Sequence, residues 1–418
     1  MSIETPARIA VIGAGPIGLE TALYARYLGY DVDVYERGGV AENLLRWGHV
    51  RMFSSFGLNR SPLGLAALKA QDPAWQPPGD DELLSGRELA TRYLIPLAHS
   101  DLLVDSIHER TEVVAISREG LVKGEMVGDE AREEPGFRLL VASNDPAEHG
   151  RQRFAAADVV IDVSGTFGNH NWLGPGGLPA LGEQTAEEHI EYGLPDVLGR
   201  DRSRYASRSI LLVGTGHSAA TNLVALAELA AQAPDTWITW VARQELNEKH
   251  PRPVAAMPDD PFPERVRLTQ QANQLAADDS NHISLLSGTA VETLTWHADL
   301  ERFSVRLMGK HAGEFEFDRI IANVGHRPQR GLYRELHVRQ DPFQEAALQQ
   351  LANDEPGATV DPQSLVQPEP DFYILGAKSM GRDSRFLLGN GLDQIRALFT
   401  IIGDRPELNL YATMAGLV

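Results

Sequence analysis

Apolar residues from Ile9 to Ile12 form a short unbroken run, and Gly13, Gly15 and Gly18 follow it. A stripe of Ile17, Leu19, Leu23 and Leu28 then has the spacing of one buried helix face, with Gly29 placed to end the helix. The next segment, DVDVYE, alternates with period two as a strand does. Residues 8 to 37 therefore predict strand, tight turn, helix and strand. The same order returns in SILLVGTGHSAATNLVALAELA, which leads to the strand pattern WITWVAR.

The rest of the chain is organised around these two units. From Gly38 to about Asp81 runs an irregular, aromatic section that includes RWGHVRMFSSFGLNRSPLG, and loops of such length are often functional. SGRELATRYLIPLAHS predicts a helix capped by Ser85, with Glu88 at capping-box spacing. ERTEVVAISRE and GFRLLVAS predict antiparallel strands on either side of a polar stretch from Glu125 to Pro135. AADVVIDVSGTFGNHNW and FDRIIANVGHRP each predict a buried strand that ends in a glycine turn, at Gly165 and Gly325. Gly, Pro and charge are concentrated from Gly174 to Arg208, which predicts a linker. Beyond WITWVAR come a proline-rich loop, a helix near Glu264 to Ala277 and two or three strands. DFYILGAKSMGR and GLDQIRALFTIIG close the chain as strand and helix.

Composition narrows the classes. The 418 residues are enough for two domains, and 43% apolar with 23% charged residues is the balance of a soluble globular protein. No run approaches the ~20 apolar residues of a membrane span, and no secretion signal precedes the first strand. A net charge of −20 argues against nucleic acid or an anionic membrane as partner. The sequence has no cysteine, so it supplies no disulfide, thiolate metal site or dithiol relay. A cytoplasmic location is the default expectation. No helical histidine pair or calcium loop is present, and no metal is expected.

The glycines carry the candidate chemistry. A dinucleotide pyrophosphate is best held where a helix begins, because free N–H groups and the helix dipole face it. The first glycine allows the tight turn, the second lets the backbone approach phosphate, and the third lets helix pack on strand. Gly13, Gly15, Pro16 and Gly18 meet this pattern, and Glu36 stands where an acid accepts ribose hydroxyls, with Arg37 beside it. Gly214, Gly216 and Ala219 repeat it, with His217 following the turn and Ser218 able to offer its hydroxyl to phosphate. There the second strand ends in Arg243, which would pair with a 2′-phosphate and favour NADP(H), or would be a solvated surface residue.

Two such halves joined by strand–glycine segments resemble the flavoproteins with two dinucleotide-binding domains. These include the flavin-containing monooxygenases and the thioredoxin reductase-like enzymes. The resemblance rests on VIGAGPIG with Glu36, VIDVSGTFG, LLVGTGHSA, IIANVGHRP and FYILGAKSMGR with GLDQIR, and it spans nearly the whole chain. It implies an α/β fold of two Rossmann-like domains, with the NAD(P) domain inserted into a discontinuous FAD domain. The expected boundaries are 1–175 and 318–418 for the FAD domain, 176–208 for the linker and 209–317 for the NAD(P) domain. Gly165 and Gly325 would be the crossing points, and Val113 or Val114 would offer backbone to the adenine.

The resemblance also implies FAD contacts at Trp47 and at Arg51, which could instead meet an acidic substrate, unless these residues pack under the loop, and a helix near Gly391 directed at the flavin ring. Asn169 to Trp172 match the monooxygenase fingerprint only loosely, since the spacing differs. The family's usual Gly-Asp is replaced by Gly376, Ala377 and Lys378, so backbone groups or Lys378 would anchor the ribityl chain. The expected function is an FAD-dependent, NADPH-using oxidoreductase without an assigned catalytic residue. The first choice is a monooxygenase that uses molecular oxygen and a flavin peroxide on a small organic nucleophile. The alternatives are a reductase serving an organic acceptor or partner protein, and a flavin-binding redox sensor.

Overall fold

Residues Ile9 to Ile12 are buried on both faces of their strand, as a central parallel strand requires. The computed structural model describes residues 3–277, 282–347 and 360–416. These form two units. The first holds the described residues up to Leu45, Ser54–Asn169 and those from Arg327 on; the second holds Arg46–Phe53 and His170–His326.

The first unit carries β1 (Arg8–Ile12), β2 (Asp31–Tyr35), β3 (Ile107–His108), β4 (Thr111–Arg118), β5 (Phe137–Ser143), β6 (Gln152–Ala157) and β7 (Val159–Asp162). The second carries β8 (Ser209–Val213), β9 (Trp237–Ala242), β10 (Ile283–Ser287), β11 (Thr289–His297), β12 (Arg302–Gly309), β13 (Gly313–Phe317) and β14 (Arg319–Ala322). The chain then returns to the first unit for β15 (Phe372–Ile374).

In the first unit a parallel sheet has the order β15-β7-β1-β2-β3, beside an antiparallel β4-β5-β6 sheet. Ile12, Tyr35 and Val160 of the parallel sheet share one core with Val113, Leu139 and Val141 of the antiparallel sheet. Helix Pro16–Tyr27 follows β1, and helix Leu388–Ile402 packs against it. The capping box at Ser85 and Glu88 is present, and the helix it opens passes through a π segment, Ala90–Leu94. Where the chain leaves and re-enters this unit, the Arg327 N–H donates to the Asn169 carbonyl at 2.9 Å.

The second unit repeats the plan, with parallel order β10-β9-β8-β14 and an antiparallel β11-β12-β13 sheet. The apolar run of β8 serves two cores. Ile210 and Leu212 face the helix His217–Gln232, meeting Leu223 and Leu226, while Leu211 and Val213 share a core with Phe303, Val305 and Leu307.

Two boundaries differ from expectation. The stretch 176–208 is not a free linker: Ala180, Ala186, Ile190, Val197 and Tyr205 are buried in the cores of the second unit. The carboxylate of Glu183 fastens it, accepting from the N–H groups of Leu173 and Ala180 and from the Tyr192 hydroxyl at 2.8 to 3.1 Å. Its apolar residues are too widely spaced among Gly and Pro to show a periodic pattern. Likewise β14 belongs to the second unit, because it pairs with β8 and completes that sheet.

Candidate functional site: two glycine turns

Gly13 has φ +108°, a conformation that side chains disfavour, and a Cβ there would meet the Val163 carbonyl at 3.0 Å. A Cβ on Gly18 would overlap the Gly13 carbonyl oxygen. Both glycines are thus required by the turn itself. Gly15 is different: nothing lies within 4 Å of where its Cβ would be, and no side chain caps the helix that starts at Pro16. The turn leaves open space at the end of a helix whose first N–H groups have no intrahelical partner.

The parallel register sets Tyr35 opposite Ile12, so the end of β2 lies beside the turn. Glu36 Oε2 accepts from the Ala14 N–H at 2.8 Å, and Oε1 accepts from the Gly38 N–H at 2.9 Å. The adjoining cleft is lined by Gly13, Glu36, Arg37, Val113, Ser164 and Gly165 among others. Val113, not the exposed Val114, is the buried residue at this place. The Arg37 guanidinium lies against Gly168. Asn43 and Gln329 also line the cleft. Neither stands in a motif, so only the fold brings them there.

At the chain's end Lys378 and Gly391 are each held by contacts within the protein. Lys378 does not reach into the cleft. Its ammonium is wholly buried, 2.5 Å from Asp162 Oδ2 and 3.0 Å from Ser164 Oγ, and it faces the Tyr333 ring at 5.1 Å. Asp162 was masked in the sequence by the strand pattern around it; a buried acid in an apolar run was the available signal. Gly391 lies inside the helix that begins at Leu388, where a Cβ would overlap Ile17 Cδ1, so its role is close helix packing. Gly376 sits in the turn after β15, and its N–H donates to Gln394 Oε1 at 2.7 Å.

The second turn has the same division of labour. Gly214 has φ +121°, a Cβ there would overlap the Asn323 carbonyl oxygen, and the Trp240 indole N–H donates to the Gly214 carbonyl at 2.7 Å. Gly216 has nothing within 4 Å of its Cβ position. Ala219 is fully buried and packs the helix, while Ser218 is exposed. His217 is half-buried; burial first, then the charge of Arg265, pushes its pKa below the usual histidine value. Arg243 is exposed just past β9. Gly325 accepts from the Asn171 N–H at 2.9 Å, and His170 bridges to His326 beside it.

Trp47 and Arg51, expected beside the first site, fall in the segment Arg46–Phe53 that belongs to the second unit. Their sequence neighbourhood to Glu36 did not reveal this. Among the described residues no cluster suited to a metal ion is present, and no helix is long and apolar enough to cross a membrane.

No family model matches the sequence, and no curated protein matches it either. Solved structures do match the fold. A bacillithiol disulfide reductase from Bacillus cereus superposes with a TM-score of 0.67 at 14% identity, covering 96% of this chain and 99% of that one. The cadaverine monooxygenase of desferrioxamine biosynthesis from Erwinia amylovora, bound to FAD, gives 0.63 at 14% identity, with 96% and 95% covered. A thioredoxin reductase from T. acidophilum gives 0.55 at 17% identity, with 94% and 97% covered. The chain has the fold of the flavoproteins with two dinucleotide-binding domains, one inserted into the other.

Proposed function

We propose that the chain is an FAD-dependent oxidoreductase that draws hydride from NADPH and uses it to oxygenate a small organic nucleophile. The observation that carries the reading is the pair of open cradles: Gly15 and Gly216 each leave vacant the volume a Cβ would fill, at the start of a helix. Both turns fit a pyrophosphate, which a helix N-terminus binds through free N–H groups. FAD, when bound, supplies the chemistry: it accepts hydride from reduced nicotinamide and passes electrons to the final acceptor.

The chain's own residues bind and orient. Two backbone N–H groups fix the Glu36 carboxylate beside the first turn, and its remaining lone pairs suit ribose hydroxyls. The same negative charge repels a 2′-phosphate, which favours FAD over NADP at this turn. At the second turn no acid follows the strand, and the exposed Arg243 favours NADPH. Burial, then the charge of Arg265, disfavours the charged form of His217 there. With no cysteine in the sequence, electrons have no thiol relay to follow and must leave the flavin directly. That supports oxygen as acceptor. The fold match to a disulfide reductase supports a second reading, reduction of an organic acceptor without oxygen insertion.

The test is to give the FAD-loaded protein NADPH and ¹⁸O₂ with a panel of amines, sulfides and ketones. Labelled product supports oxygenation. Hydrogen peroxide in step with NADPH oxidation, with no labelled product from any substrate, transfers the assignment to the reductase.

A further inference from the structure

We infer that Arg46–Phe53, a segment encoded within the first half, belongs to the nicotinamide dinucleotide site, with Phe53 as its wall and Arg51 as a contact to the pyrophosphate. The inference rests on the second nucleotide turn of the proposed function. The chain leaves the first unit at Leu45 and returns to it at Ser54. Within the second unit the Phe53 ring meets the His217 ring edge-on, with centroids 6.0 Å apart and planes at 65°. His217 is the first residue of its helix, and Gly216 before it is the open glycine. Phe53 therefore stands at the end of the helix that presents its free N–H groups.

Charge points the same way. In a chain of net charge −20, residues 43 to 71 contain no Asp or Glu and do contain Arg46, Arg51, Arg60 and Lys69. Arg60 is held by Asp80 through two hydrogen bonds of 3.0 and 2.8 Å. Near His217, Arg265 is held in the same manner by Asp260, at 2.7 Å for both bonds. Arg51, two residues from Phe53, is exposed and forms no ion pair among the described residues. A cation beside the helix N–H groups strengthens the hold on a pyrophosphate, and burial of His217 disfavours its charged form. Arg51 is an exposed cation that this segment brings. Its target is the pyrophosphate, which NADPH and NADH share.

The experiment uses the full chain and reads two ligands separately: FAD content per chain by absorbance, and affinity for NADP⁺ and NAD⁺ by calorimetry. Arg51→Ala should weaken both nicotinamide dinucleotides by about ten- to a hundredfold while FAD content stays at the parent level. Arg51→Lys should recover part of the loss, and Phe53→Ala should weaken both dinucleotides as well. Thermal melts show whether each variant is folded, and the exposed Arg51→Ala keeps the test open if Phe53→Ala is not. Loss of FAD with unchanged dinucleotide affinity overturns the inference and returns the segment to the flavin. Unchanged binding of every ligand also overturns it. A parent protein that binds neither NADP⁺ nor NAD⁺ overturns the proposed function itself.

Discussion

Lys378 Nζ lies 2.5 Å from Asp162 Oδ2, and neither side chain reaches solvent. The pair joins the end of β7 to the turn after β15, and Ser164 Oγ completes it by donating to Asp162 Oδ1 at 2.7 Å. A buried charge left without its partner costs about 3–5 kcal/mol, whereas removing both charges costs far less. Lys378→Met should therefore destabilise the protein strongly in urea unfolding, and Lys378→Met combined with Asp162→Asn should recover much of the loss. The double variant should also keep its FAD. A stable double variant that purifies without flavin would show that Lys378 holds the cofactor after all.

The two glycine classes of the first turn predict opposite failures. Gly15→Val places its side chain in open space, so the fold and its thermal melt should be close to those of the parent. The same side chain occupies the volume proposed for pyrophosphate, so flavin should be lost. Gly18→Val drives its side chain into the Gly13 carbonyl and should lower stability itself. A Gly15→Val protein that purifies fully yellow removes the first site.

Arg243 and Arg51 separate by cofactor. Arg243→Ala should weaken NADPH by about ten- to a hundredfold and leave NADH nearly unchanged, because only NADPH carries the 2′-phosphate. Steady-state KM for each cofactor measures this. Equal loss for both assigns Arg243 to structure.

Glu20, on the helix after the first turn, is buried, and its pKa is raised to about 7 by that burial, against the opposing hydroxyls of Ser61 and Tyr411. Below the ordinary value near 4.5 it is protonated in both folded and unfolded chains, so pH has no effect through it. As pH rises from there, the unfolded chain gives up its proton first, and folding is increasingly disfavoured until the folded group ionises near 7. The full penalty, on the order of 3 kcal/mol, is present above that pH. Glu20→Gln should thus match the parent near pH 4.5 and be the more stable protein at pH 8. Parallel melting curves across this range would remove Glu20 as the cause.

What the sequence made legible was local. The runs Ile9 to Ile12 and Ile210 to Val213 announce parallel strands because both of their faces are covered, and the glycine spacing announces turns because backbone geometry demands it there. What stayed hidden depends on contacts distant along the chain. Nothing near Trp47 says that its segment joins the second unit. The apolar residues of 176–208 meet cores whose strands, β8, β11, β12 and β14 among them, all come later in the chain. Lys378 looks like a surface lysine until Asp162, far earlier in the sequence, is placed beneath it. Gly391 resembles a ligand-facing glycine, yet Ile17 across the helix pair explains it.

The hydrogen bond from Arg327 to the Asn169 carbonyl has a consequence for chain connectivity. The two ends of the first unit that flank the inserted segment already touch, at 2.9 Å. An insertion at such a point does not stretch its host, and the entropy of closing the host's chain across the gap grows only with the logarithm of the inserted length. At this junction the first unit is accordingly a host that accepts an insertion between Asn169 and Arg327 without strain on its own sheet.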